Sequence, residues 1–230
     1  MQQPHTSISI SKILTSLLLL CTLSIQAQPR GKVIPKVEKD TTALFKNIAV
    51  SVDLVGVAQL AFGDYGQYEA AVRINLKDKY FPILELGYGK ANTTDETTNN
   101  TFKTKAPYGR IGIDFNLLKN KHDIYRLYGG VRYAFTSYKY DIINTTVTDP
   151  VWKDQVDFSY TGEKANMHWL ELGLGVDAKI AGPLHLGWSV RYKRRLIHSE
   201  GAIGNSWYTP GFGRNEGSHL GGTFNVILEF

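Results

Sequence analysis

Cysteine is almost absent from this 230-residue chain, since Cys21 stands alone inside an N-terminal apolar segment. Once that segment is removed, no disulfide, thiol nucleophile or cysteine-ligated metal remains open to the chain. Long apolar runs are as scarce. The one present, Ile13 to Leu23 after Lys12, is too short to cross a bilayer as a helix. Helix-forming runs of coiled-coil length are missing, while 22 Gly, 10 Phe and 13 Tyr argue against disorder and collagen. A formal charge of +5 is spread without an arginine-rich stripe, so nucleic acid is not an expected partner. His168, His185, His198 and His219 form no short-spaced pair, and Gly201 to Gly213 lacks the helix and Lys-Ser/Thr of a phosphate cradle. Neither a metal nor any other cofactor is expected.

Residues 1–27 read as a secretory signal peptide ending in Ile25-Gln26-Ala27, with Gln28 first in the mature chain. Acylation at Cys21 is the alternative, but Leu20 stands where such a site wants Gly, Ala or Ser. Residues 28–46 are polar and Lys-rich with Pro29 and Pro35, which gives a linker on the periplasmic side. Residues 47–230 are the folded domain.

That domain alternates apolar with polar residues in eight runs. Ile48, Val50, Val52 and Leu54 open the first, and Leu220, Phe224, Val226, Leu228 and Phe230 close the last. Strand side chains alternate faces, so each run has one apolar face and one of glycine and charge. Ten strand residues at ~3.3 Å, tilted ~40°, span the ~25 Å apolar band of an outer membrane. The charged face carries Asp53, Glu69, Glu85, Asp114, Glu171, Asp177 and Glu229 against Arg73, Arg110, Arg126, Arg132, Arg191 and Lys193. Charges so nearly balanced fit a narrow lumen as a paired network, because an isolated buried charge costs several kcal/mol.

Connection lengths agree. Residues 77–80, 119–123 and 181–183 are tight turns, whereas 89–106, 141–164 and 197–218 are long polar loops, with one short link near Phe62 to Gln67. Tyr80, Phe115, Tyr125 and Phe230 fall at one rim, and Tyr68, Tyr88, Tyr133 and Tyr192 at the other, as two aromatic girdles. The expected fold is all-β: an eight-stranded antiparallel up-and-down transmembrane β-barrel with a closed, charge-paired lumen.

With the eight alternating runs and a terminus reading Phe224, Val226, Leu228, Phe230, the chain resembles small outer-membrane β-barrel proteins of Gram-negative bacteria. Its Ala-Gln junction and Tyr/Gly-rich strands are similar to barrel families of Bacteroidetes. The resemblance implies that the four terminal residues form the signal for the barrel-assembly machinery, reached with periplasmic chaperones. It implies location in the outer membrane, with membrane lipid and lipopolysaccharide as partners.

Two chemistries are weighed against a non-enzymatic scaffold whose loops meet a surface ligand. His198, Ser199 and Glu200 resemble the residues of outer-membrane lipid A deacylases and acyltransferases. Adjacent strand residues point to opposite faces, however, so His198 does not readily activate Ser199, and Ser206 or Ser218 would have to serve instead. A soluble lipocalin-like barrel is the other alternative. An open pore is not expected from eight strands with a filled interior. The loops carry Lys90, Lys103, Lys105, Lys164 and Arg214 beside Trp152, Trp207 and Tyr208 as candidate contacts for anionic headgroups or a protein.

Overall fold

A computed structural model of the chain describes residues 43–148, 151–199, 201, 204 and 206–230. The signal-peptide reading with Cys21, most of the linker, and Glu200 lie outside the described residues. Ten strands and one helix follow: β1 (Phe45–Asp53), α1 (Leu54–Phe62), β2 (Tyr65–Leu76), β3 (Tyr80–Thr94), β4 (Thr101–Asn116), β5 (Tyr125–Thr148), β6 (Gln155–Ala181), β7 (Leu184–Ser199), β8 (Tyr208–Thr209), β9 (Gly213–Arg214) and β10 (Ser218–Glu229). Eight of them close a barrel in the order β1-β10-β7-β6-β5-β4-β3-β2, and β8 with β9 makes a separate two-stranded piece. Every barrel pairing is antiparallel.

Polarity is inverted relative to a soluble barrel. Leu86, Ile111, Leu174, Trp188 and Leu220 are each at least 60% exposed, while Glu85, Asp114, Glu171 and Arg110 are at most 2% exposed. The period-two pattern produces this directly, because alternate residues of one strand face opposite sides.

Short connections gather at one end of the barrel. Between β2 and β3, Lys77 and Asp78 both take positive φ, 57° and 56°, and Lys79 N–H donates to Leu76 O at 3.1 Å. This is the two-residue turn whose twist matches paired strands. At the opposite end β3 and β4 run on to Thr94 and Thr101, and β5 and β6 to Thr148 and Gln155. The stretches 89–106 and 141–164, expected as loops, are therefore mostly paired strand. Their inward positions cluster as Ala91, Phe102, Ala106, Tyr138 and Tyr140, but their outward positions are mostly Lys, Thr and Asn, so the outward apolar periodicity of the other strands does not mark them, and backbone pairing extends them regardless. Likewise β1 starts at Phe45, inside the stretch read as linker.

Strand β1 stops early, and this shapes the wall. Asp53 pairs with Asn225, but Leu54, expected to continue the strand, begins α1. Asp53 explains the change, since its carboxylate accepts from Val55 N–H at 3.1 Å and Gly56 N–H at 3.0 Å as a helix N-cap. The link near Phe62 to Gln67 is thus a helix followed by a tight return. Above Asp53 the segments Tyr65–Glu69 of β2 and Ser218–Phe224 of β10 each pair on one edge only, and α1 occupies the notch between them. It lies close on β2: a Cβ on Gly66 would fall 2.5 Å from Leu60 N, and one on Gly56 2.5 Å from Gln67 O. Asp53 also accepts from Phe224 N–H at 3.1 Å, tying the open edge of β10 to the helix cap.

Candidate functional site

The lumen is the polar site that the strands build, and it is layered along the barrel axis. At the turn end Asp78 accepts from Lys46 Nζ at 2.6 Å and Asn75 Nδ2 at 2.7 Å, with His122 Nδ1 at 2.6 Å. Burial alone would raise its carboxyl, but these three partners and the Lys46 charge hold it below the usual carboxylate range. The next layer pairs Arg73 with Asp177 at 2.5 Å and Arg126 with Glu229 at 2.9 Å. Both guanidiniums lie over Phe81, 5.4 and 5.5 Å from its ring centre.

Mid-barrel, Glu85 accepts from three arginines. Arg132 Nε donates at 2.8 Å, Arg191 at 2.7 and 3.0 Å, and Arg110 at 3.1 Å. Arg132 reaches on to Asp114 at 2.9 Å, and Arg110 to Glu69, with its Nε 2.9 Å from Glu171. Tyr108 donates to Glu69 at 2.6 Å, and Trp169 to Glu171 at 2.7 Å. The cavity left among these groups is about 20 Å³, room for a single water.

At the loop end, residues 206–214 of the β7–β10 connection fold inward. Tyr208, Thr209 and Phe212 are at most 2% exposed. Arg110 Nη2 donates to Gly211 O at 2.8 Å, and Lys193 Nζ to Gly211 O at 2.7 Å and Phe212 O at 3.2 Å. Gly211, at φ 81°, lies flat on the Tyr108 ring, where a Cβ would come within 2.6 Å. Phe212 packs edge-on against Trp169 at 5.7 Å.

The reading of Tyr208 is corrected: expected in a solvated loop, it is buried by the inward fold of 206–214. Asp53 faces the lumen, where its carboxylate caps α1 because β1 ends there. Lys193, buried in the lumen too, donates to the Gly211 and Phe212 carbonyls of that inward fold, the plug of the barrel. The other lumen residues, Glu69, Arg73, Glu85, Arg110, Asp114, Arg126, Arg132, Glu171, Asp177 and Arg191, are brought together as described. Tyr108, Trp169 and Phe212 were missed. The alternation marked the face of the first two, but nothing local marked the third.

The girdle residues Tyr68, Tyr80, Tyr88, Phe115, Tyr125, Tyr133 and Tyr192 all point outward and are exposed. Tyr80 and Phe115 meet edge-on at 5.8 Å on the turn side, while Tyr68 pairs with Tyr88 on the loop side. Phe224, Val226 and Leu228 also face outward in register with Trp188, Leu186 and Leu184 of β7. A cavity of about 750 Å³ opens at the notch, from Val55 and Gln59 of α1 past Gly221 to Lys193 and His219. Ser199 Oγ accepts from Asn166 N–H at 2.9 Å. Asn215 Nδ2 stands between His198 Nε2 and Ser206 Oγ, 3.4 Å from each. Among the described residues no group of His, Cys, Asp and Glu is placed to hold a metal.

The family model for a domain of unknown function, DUF6048, matches residues 7–230. The chain belongs to the DUF6048 family. No curated protein sequence matches it. Among solved structures it is similar to the N-terminal β-barrel domain of Pseudomonas aeruginosa OprF, at 13% identity and a TM-score of 0.38 over 80% of this chain and 97% of that one. Ail of Yersinia pestis, solved with the heparin analogue sucrose octasulfate, matches at 10% identity and 0.40 over 80% and 99%. Acinetobacter baumannii CarO2 matches at 9% and 0.42 over 82% and 100%. The barrel of this DUF6048 chain is read from its own strand register, which closes without any of these likenesses.

Proposed function

We propose that this chain is an outer-membrane β-barrel acting as a non-enzymatic, surface-presenting scaffold, neither a pore nor a hydrolase. One observation carries the reading: the apolar face of every barrel strand is turned out and the ionic face in. A protein in water gains nothing from that arrangement, since its largest apolar patches would all be wet. In a bilayer the same surface meets acyl chains, and the closed barrel satisfies its backbone internally. From Tyr80 to Tyr88 on β3 is eight residue steps, about 20 Å along the axis after tilting. Two girdles at that separation suit the ~25 Å apolar band.

Against transport stand the filled mid-lumen and the plug. Against acyl transfer stands the engagement of Ser199 Oγ by Asn166, with His198 facing Asn215. The short turns then lie in the periplasm and the β3–β4 and β5–β6 extensions outside the cell. Export by the leader read at residues 1–27 and assembly in a Gram-negative, Bacteroidetes-type outer membrane complete the reading.

The test is fractionation with gel analysis. The full-length chain, expressed in a Gram-negative host, is expected in the outer-membrane fraction, migrating faster unboiled than boiled. Recovery from the soluble periplasm without detergent would overturn the reading and favour a lipocalin-like binder.

A further inference from the structure

On the outside of the barrel, toward the loop end, five lysines lie on adjoining strands. Lys90 of β3 stands opposite Lys105 of β4, and Lys139 of β5 opposite Lys164 of β6. The β4–β5 ladder matches Thr104 with Tyr140 and Tyr108 with Thr136, so Lys105 faces Lys139 across it. Four neighbouring strands thus carry one unbroken row of lysines. Lys103 stands one step further out, opposite Asp141. All five are exposed, and they share the wall of one surface cavity of about 980 Å³. Asp141 is the single acid on that wall, and its Oδ1 already accepts from Gly162 N–H at 2.7 Å. Among the described residues no carboxylate stands within ion-pairing distance of any of the five amines.

Such a row works against the strands that carry it. Like charges directly opposite on one sheet face repel, and here three opposed pairs follow in series. Strand pairing does not ask for lysine at these places, where neutral Thr or Gln would serve. A counter-charge is what the row lacks. Its height says where that charge comes from. Tyr88 of the girdle lies on the same face two residues below Lys90, about 6.6 Å along the strand. Tyr133, whose hydroxyl bonds His168 Nδ1 at 2.7 Å, lies on the same face six residues below Lys139, about 20 Å along the strand. On the outer-membrane reading, on which this step rests, the Lys90 end of the row stands just above the girdle, among lipid headgroups, and the row leads outward from there. The row crosses three strand gaps, about 14 Å in all, which is longer than one phosphate group. A phosphate monoester carries up to two charges and three acceptor oxygens, enough to meet two opposed ammoniums at once.

We infer that the Lys90–Lys105–Lys139–Lys164 row, with Lys103, is a binding site for a membrane lipid headgroup bearing two or more phosphates. The full-length chain, folded in a zwitterionic detergent, is titrated with mixed micelles carrying lipid A with two phosphates, and the midpoint of heat-modifiable unfolding is followed. The wild type is expected to rise in midpoint with lipid. The double variant Lys105→Gln/Lys139→Gln is expected to need at least tenfold more lipid, while starting at an equal or higher midpoint in its absence. Lys119→Gln, at the opposite end of the barrel, is expected to respond as the wild type does. An unchanged lipid response in the double variant overturns the proposal. So does an equal rise with soluble tripolyphosphate alone, which would make the row a site for free polyanions. A barrel that is heat-modifiable but indifferent to lipid A overturns this proposal alone; a chain showing no heat-modifiable form overturns the outer-membrane reading beneath it as well.

Discussion

Glu85 holds three guanidiniums in a space with room for no more than a single water, and its two oxygens are the meeting point of strands β4, β5 and β7. Removing one member of a buried pair leaves the others charged and unmatched, which costs about 3–5 kcal/mol where the site is dry. Glu85→Ala is therefore expected to lower unfolding free energy in vesicles by about that amount, measured by urea titration. A loss under about 1 kcal/mol would mean that water reaches the cluster, and the closed-lumen argument would fail with it. Glu85 was legible in the sequence because its phase with Leu84 and Leu86 fixes its face. Which arginines it meets was not, because Arg191 lies 106 residues away and the pairing depends on shear around the closed barrel.

The most informative element is the inward β7–β10 connection. Its burial was invisible in the sequence, where Gly201 to Gly213 is a run of turn formers without period. Tyr208 and Phe212 gain their places only from residues on distant strands: Tyr108 beneath Gly211, Trp169 beside Phe212, Lys193 and Arg110 beneath the carbonyls. Helix α1 was hidden for a related reason, since Ile48, Val50, Val52 and Leu54 keep the strand phase one residue past the true end, and only the capping geometry of Asp53 shows the break. Replacing 206–214 by a short Gly/Ser link removes partners from two buried cations, each hydrogen bond to such a group contributing about 1.5–3 kcal/mol. The variant is expected to fold with stability reduced by at least about 3 kcal/mol. It is also expected to show no channel steps in planar bilayers, because the Glu85 cluster still fills the middle. Steady conductance in this variant would show that the plug alone closes the barrel.

For the molecule as a whole, closure rests on one seam, and the C-terminal residue completes it. β1 and β10 match over only five residue pairs, Ala49–Glu229 to Asp53–Asn225. Beyond them Ile48 and Phe230 exchange both backbone bonds, Ile48 N–H to Phe230 O at 3.0 Å and Phe230 N–H to Ile48 O at 2.8 Å. The Phe230 ring itself is 73% exposed on the outer face, so ring and backbone contribute separately. The sequence showed the ring, as the end of an apolar alternation; it did not show that the same residue's peptide groups shut the barrel, which follows only from the β1–β10 register. The two roles separate by substitution. Phe230→Ala keeps both seam bonds and is expected to refold into lipid vesicles with a midpoint close to the wild type. Deleting Phe230 removes two bonds from a short seam and is expected to lower that midpoint by about 1–3 kcal/mol. In cells, where barrels reach the membrane through assembly machinery, both variants are expected to accumulate less folded barrel if the aromatic ring is the signal read. Normal cellular yield of Phe230→Ala, with loss confined to the deletion, would assign Phe230 to seam closure alone.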